Sequence, residues 1–125
     1  FKDRVTNGQL VEEYNRAELM VMPSLFEGFG LPALEAFATG TPLIVAAAGA
    51  LPEVVGEAAV KAPARDGAAI AAAVMKLHAD PAERARLAAA GRERVRAGFT
   101  WDLAAELMEG IYRELTAEAR RSGNR

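Results

Sequence analysis

Apolar residues fall in short blocks through the first half of this chain and at helical spacing through the second. Glu18 to Met22 and Pro42 to Ala46 each hold a compact apolar run, and Ala58 to Ala62 holds a weaker one. Periodicity alone does not separate such runs from helix, but the prolines and glycines around them favour buried strands. Helical patterns lie between them. Gln9 to Arg16 sets Leu10, Val11 and Tyr14 on one face, after a turn signal at Thr6-Asn7-Gly8. Pro32 to Thr39 offers Leu34, Phe37 and Ala38 for packing and stops at Gly40, and Pro52 opens a brief helical turn that Gly56 closes.

From Asp66 onward the pattern is helical throughout. Asp66 can cap a helix to Ala79 with Ile70, Val74 and Leu77 as its apolar stripe. Asp80-Pro81 caps and starts the next, in which five arginines (84, 86, 92, 94 and 96) surround Leu87, Ala90 and Val95. Thr100 caps a last helix whose Trp101, Ala104, Leu107, Met108, Ile111, Tyr112 and Leu115 have core spacing. Phe1 to Val5 reads as the end of a strand, and Arg120 to Arg125 as a frayed end. Short apolar strands alternating with helices predict an α/β fold: a Rossmann-like parallel sheet with right-handed crossovers, flanked by helices.

Composition narrows the chemistry more than the fold. At 125 residues, 51% of them apolar and 26% charged, the chain suits one soluble domain. A net charge of −2 gives no basic excess for nucleic acid. The lack of cysteine excludes disulfides and thiolate metal sites, and the lone His78 stands in a helix without a second ligand nearby in sequence. No apolar run reaches bilayer length and no leader pattern is present, so the expected location is the cytoplasm. The arginine-rich helix could touch anionic lipid, giving a full-length enzyme a peripheral membrane contact. Glu83 and Glu93 interrupt it, which favours a solvated face.

The densest chemistry lies from Pro23 to Pro42. Glu27 and Glu35 stand with seven residues between them, around Gly28-Phe29-Gly30 and a helix-starting Pro32. A strand entering a helix through such a loop sits at the carboxyl end of a parallel sheet, where ligands bind in this class of fold. The first turn of the helix offers orphan N–H donors and partial positive charge, a setting for phosphate. Gly28 and Gly30 let the backbone approach a ligand. A carboxylate accepts two hydrogen bonds at once and so suits a vicinal diol. Phosphate between two diols describes a nucleotide sugar.

The full block Pro-Ser-Leu-Phe-Glu-Gly-Phe-Gly-Leu-Pro-Ala-Leu-Glu-Ala-Phe-Ala-Thr-Gly-Thr-Pro (23–42) resembles the signature of the group 1, family 4 retaining glycosyltransferases of the GT-B fold. The resemblance continues through Gly49 to Gly56 and Phe99-Thr100-Trp101. It implies that residues 1–125 are a single donor-binding domain, lacking its first strands, its diphosphate-clamping basic residues and the N-terminal acceptor domain. Glu27 would then be the catalytic-site acid at the donor sugar, with the backbones of Gly28, Phe29, Gly30 and Leu31 holding the sugar and diphosphate. Glu35 would grip the ribose diol, and Arg4-Val5 would line the base pocket. Asp3 stands where the family usually has glycine. The implied reaction transfers a glycosyl unit from a nucleoside diphosphate sugar to an acceptor, with retention and with no metal or other cofactor. The resemblance also implies that the terminal helix reaches toward the missing domain, and that the 125-residue chain alone is inactive.

Two other classes stay open on the residues. Paired carboxylates can mark a glycosidase, although hydrolysis of a simple glycoside needs no phosphate cradle. A non-catalytic nucleotide-binding or partner-completed module would use the same loop without chemistry.

Overall fold

The computed structural model describes residues 4–122. In order, the chain forms α1 (Asn7–Arg16), β1 (Met20–Met22), α2 (Leu31–Thr39), β2 (Leu43–Ala46), α3 (Leu51–Val55), β3 (Val60–Ala62), α4 (Gly67–Ala79), α5 (Pro81–Gly98) and α6 (Trp101–Ser122). The strands are parallel in the order β1-β2-β3, with Met20 opposite Leu43, Met22 opposite Val45, and Ile44 opposite Val60. β2 is central, and all four of its residues are buried. Its side chains alternate between two cores. Leu43 and Val45 join Met22, Phe37, Leu51 and Val55 beneath α2 and α3, while Ile44 joins Leu77 and Leu87 beneath α4 and α5. A continuous apolar run is what a strand covered on both faces requires.

Two carboxylates fix the start of the helical half. Asp66 accepts from Ala69 N–H and Asp80 from Glu83 N–H, each at 2.9 Å, so both caps stand where their residue types predict. The first helix departs from expectation. Thr6 caps it: its hydroxyl accepts from Gln9 N–H at 3.3 Å, and Gln9 Oε1 accepts from Thr6 N–H at 2.9 Å. This reciprocal capping box satisfies two orphan donors and draws Asn7 and Gly8, expected as a turn, into the first turn of α1. Val11 is exposed, whereas Leu10 and Tyr14 are half-buried. Arg4 and Val5 are exposed and belong to no strand, because Thr6 already turns the backbone into a helix. Residues 1–3, with the rest of the expected strand end and the Asp3 turn, lie outside the described residues, as do 123–125 of the expected frayed end.

Arg86, Arg92 and Arg96 of α5 are exposed, as a solvated face requires, but three of the five arginines also reach carbonyls of earlier helices. Arg84 donates to the carbonyls of Leu77 (2.8 Å) and His78 at the end of α4, and pairs with Glu18 at 2.9 Å. Arg92 donates to Thr39 O at the end of α2, at 3.0 Å. Arg94 donates to Glu53 O and Val54 O at the end of α3, both at 2.5 Å. Three preceding helices thus have their last carbonyls met by cations from one later helix, where charge and helix dipole agree in sign. α5 lies so close to α2 that a Cβ on Gly91 would stand 2.5 Å from the Phe37 ring.

The stripe on α6 is not core. Trp101 is 91% exposed, and Leu107, Met108, Ile111, Tyr112 and Leu115 are all at least half exposed. The spacing is amphipathic as read, but among the described residues the stripe stays largely uncovered. No helix among the described residues is long and apolar enough to cross a membrane.

Candidate functional site

The site is built where β1 and β2 end. The loop after β1 carries Glu27, and the loop after β2 presses against it: Ala50 N–H donates to Glu27 O at 3.4 Å. Gly49, at φ +58°, passes so near that a Cβ would lie 3.1 Å from Glu27 N. Backbone closeness therefore fixes the root of the half-buried Glu27.

Gly30 then turns the chain into α2. Its φ of +88° and ψ of 44° are left-handed, a conformation that excludes most side chains, and Leu51 fills the space a Cβ would need. The cap residue has no side chain to satisfy the helix entrance. Among the described residues, the N–H groups of Gly28, Phe29, Gly30 and Leu31 donate to no protein acceptor. Gly28 has open space where a Cβ would point. Four consecutive unpaired donors at the start of a helix make a positively polarised patch suited to an anion.

Glu35 lies on α2, away from Glu27. Its Oε2 accepts a hydrogen bond from the Tyr14 hydroxyl of α1 at 3.0 Å. Burial first, and then the Glu35 carboxylate, push the Tyr14 hydroxyl from its ordinary value up to about 12, so at neutral pH it is a donor. Thr41, the buried polar residue between Gly40 and Pro42, donates its hydroxyl to Tyr14 O at 2.8 Å. Tyr14 is thus held by its backbone while its ring tip holds Glu35.

A mostly apolar cleft of about 370 Å³ opens beside Glu35, lined by Phe29, Leu31, Leu34, Phe99, Trp101 and Leu107 among others. It brings together three of the expected site residues, Phe29, Leu31 and Glu35. Glu27, Gly28 and Gly30 stand outside it, nearer the β2–α3 loop, and Arg4 and Val5 are placed before α1 with no part in its lining. Along the chain, the entrance of α2 falls between the two glutamates. The Phe29 ring, left unassigned by the sequence, meets the ring of Phe99 edge-on at 6.0 Å. Tyr14 and Thr41 were not legible as site residues: Tyr14 lies outside the 23–42 block, and Thr41, at the end of that block, acts through the carbonyl of Tyr14, 27 residues away. No group of three or more His, Cys, Asp or Glu able to hold a metal is found among the described residues.

Comparison with known proteins identifies the family and the fold. The family model "Glycosyl transferases group 1" matches residues 1–94. Glycogen synthase from Mycobacterium tuberculosis is 40% identical over 114 residues, which is 90% of this chain and 28% of that protein. The structure of sucrose-phosphate synthase from Thermosynechococcus elongatus superposes with a TM-score of 0.85 at 40% identity, over 94% of this chain and 30% of the other. The C-terminal domain of a glycosyl transferase group 1 family protein from Francisella tularensis gives a TM-score of 0.72 at 27% identity, over 81% of this chain and 53% of the other. The chain therefore spans less than a third of the length of the glycogen synthase and the sucrose-phosphate synthase. With a matching family model that runs through all three strands and into α5, this chain belongs to the group 1 glycosyl transferases.

Proposed function

We propose that this chain is the donor-binding part of a retaining glycosyltransferase that moves a glycosyl unit from a nucleoside diphosphate sugar to an acceptor. The observation that carries the reading is the run of four amides from Gly28 to Leu31 that are unpaired among the described residues, preceded in the chain by Glu27 and followed by Glu35. A diphosphate is the anion that uses such a patch, and each carboxylate has lone pairs for a sugar diol.

In this reading Glu27 hydrogen-bonds hydroxyls of the donor sugar, and Glu35 takes the 2′- and 3′-hydroxyls of the ribose. Cleavage of the bond from the anomeric carbon to the diphosphate oxygen leaves negative charge on the departing phosphate. The fixed amides at the start of α2 oppose that charge without needing to reorganise, usually the largest catalytic term in such sites. The reading assigns this role to backbone dipoles and asks for no metal. It also makes the chain one wall of a cleft, with an acceptor-binding domain as the other wall, toward which α6 would carry its apolar stripe. The 125-residue chain alone is then expected to transfer no sugar.

Titration of the isotope-labelled chain with UDP, GDP and ADP, followed by amide NMR, tests the binding half. Shifts concentrated from Gly28 to Glu35 with at least one nucleotide are expected. Absence of shifts there with all three overturns the reading in favour of a non-binding remnant. Sugar transfer by the 125-residue chain would overturn the assignment of half a cleft.

A further inference from the structure

We propose that Tyr14 is a positioning residue that sets the rotamer of Glu35 and thereby the chain's preference for ribonucleotides over 2′-deoxyribonucleotides. This rests on the reading of Glu35 as the ribose-facing acid.

Glu35 is an exposed side chain on a helix surface, and nothing in α2 itself holds it. An exposed glutamate samples several rotamers and loses that freedom when it grips a ligand. Here the loss is already met within the fold. The Tyr14 hydroxyl donates to Oε2 at 3.0 Å, while Oε1 has no hydrogen-bond partner among the described residues. An ionised carboxylate has about four acceptor positions, so one bond from tyrosine leaves enough for both hydroxyls of a diol.

Tyr14 can act as a strut because it is fixed. The Thr41 hydroxyl holds its carbonyl at 2.8 Å, and Thr41 begins the turn into β2, the most buried strand. The tyrosine hydroxyl also lies 3.5 Å from Pro32 O at the entrance of α2. The path from sheet to Thr41, to Tyr14, to Glu35 links the rigid centre of the fold to one oxygen pair. At neutral pH the phenol keeps its one proton, and the Glu35 carboxylate at 3.0 Å is a nearer acceptor for it than Pro32 O at 3.5 Å.

The test compares binding of a ribonucleoside diphosphate with that of its 2′-deoxy counterpart, by calorimetry on the 125-residue chain. UDP, GDP and ADP are screened, and the tightest is paired with its 2′-deoxy form. Wild-type chain is expected to favour the ribo form by about tenfold, the scale of hydrogen bonds to a charged group. Glu35→Ala should bring the ratio near one. Tyr14→Phe, which keeps the ring and its packing, should lower the ratio by about three- to tenfold while changing 2′-deoxy affinity by less than about twofold. A structural role for Tyr14 would weaken both nucleotides alike and leave the ratio in place. An unchanged ratio in Tyr14→Phe, alongside a collapsed one in Glu35→Ala, overturns the positioning role and keeps the ribose reading. An unchanged ratio in Glu35→Ala overturns both.

Discussion

The ring of Phe99, at the corner between α5 and α6, meets the ring of Phe29 in the glycine-rich loop edge-on, with centroids 6.0 Å apart and planes inclined by 64°. Arg94 stands over the Phe99 ring, its guanidinium carbon 5.6 Å from the centroid, while its nitrogens hold the carbonyls of α3. The loop that presents the amide patch is therefore braced from outside the sheet, through an aromatic pair and a cation that belong to the C-terminal helices.

This brace should be measurable as coupling. A double-mutant cycle of Phe29→Ala and Phe99→Ala is expected to show about 0.5–1.5 kcal/mol of interaction in urea unfolding, the range for aromatic pairs. Additivity of the two single substitutions would show that the rings touch without supporting one another.

Gly91 and Gly110 should respond to alanine with opposite signs, although both lie inside helices. A Cβ on Gly91 meets the fully buried Phe37 ring, whereas one on Gly110 meets nothing within 4 Å. Gly110→Ala should gain up to about 1 kcal/mol from helix propensity. Gly91→Ala should lose about 1–3 kcal/mol to overpacking. Thermal or denaturant melts of the two variants decide it, and a stabilised Gly91→Ala would mean that α5 and α2 are less closely packed than described.

Removing the guanidinium of Arg94 should weaken the fold more than a surface substitution does. Arg94→Leu leaves the part-buried carbonyl of Val54 without its donor, while the exposed carbonyl of Glu53 can turn to water, a loss of about 1–3 kcal/mol. Arg94→Lys should recover only part of this, since a single ammonium does not reproduce the planar fork. Full recovery by lysine would reduce the contact to charge alone.

The Tyr14 hydroxyl makes alkaline stability a second readout. Its folded value of about 12 lies above the ordinary 10.0, so its contribution is complete below pH 10. Above pH 10 the unfolded chain loses its proton first, and stability falls until the folded hydroxyl also ionises near pH 12. Tyr14→Phe removes that fall. The chain has two tyrosines, so the difference in ultraviolet phenolate absorbance between wild type and Tyr14→Phe isolates this group. A midpoint near 10 in the difference curve would contradict the desolvated contact with Glu35.

Local rules made much of this fold readable, and long-range contacts account for most of what they missed. Asp66 and Asp80 cap helices because a short carboxylate reaches an N–H three residues on, a relation complete within four residues. The β2 run is legible for the same reason: burial on both faces leaves no polar position. Thr6 shows how a local reading goes astray. Thr-Asn-Gly favours a turn until Gln9 is counted as the partner that makes a capping box. Tyr14 is legible as an inward-facing residue, but the partner of its hydroxyl lies 21 residues away. Arg94 reaches its carbonyls across 40 and 41 residues, and no helical pattern announces that. On α6 the amphipathic spacing was plain, yet spacing states only that a face is apolar, not that this chain supplies its cover.

The ends of α2 and α3 have a bearing on how this sequence can drift. Gly40 and Gly56 each leave the volume in which a guanidinium from α5 rests: a Cβ at Gly40 would overlap Arg92, and one at Gly56 would stand 2.9 Å from Arg94. A side chain gained at either glycine would push the guanidinium opposite off the carbonyls it holds, and the left-handed backbone there (φ +79° and +53°) would strain the newcomer wherever the arginine moved.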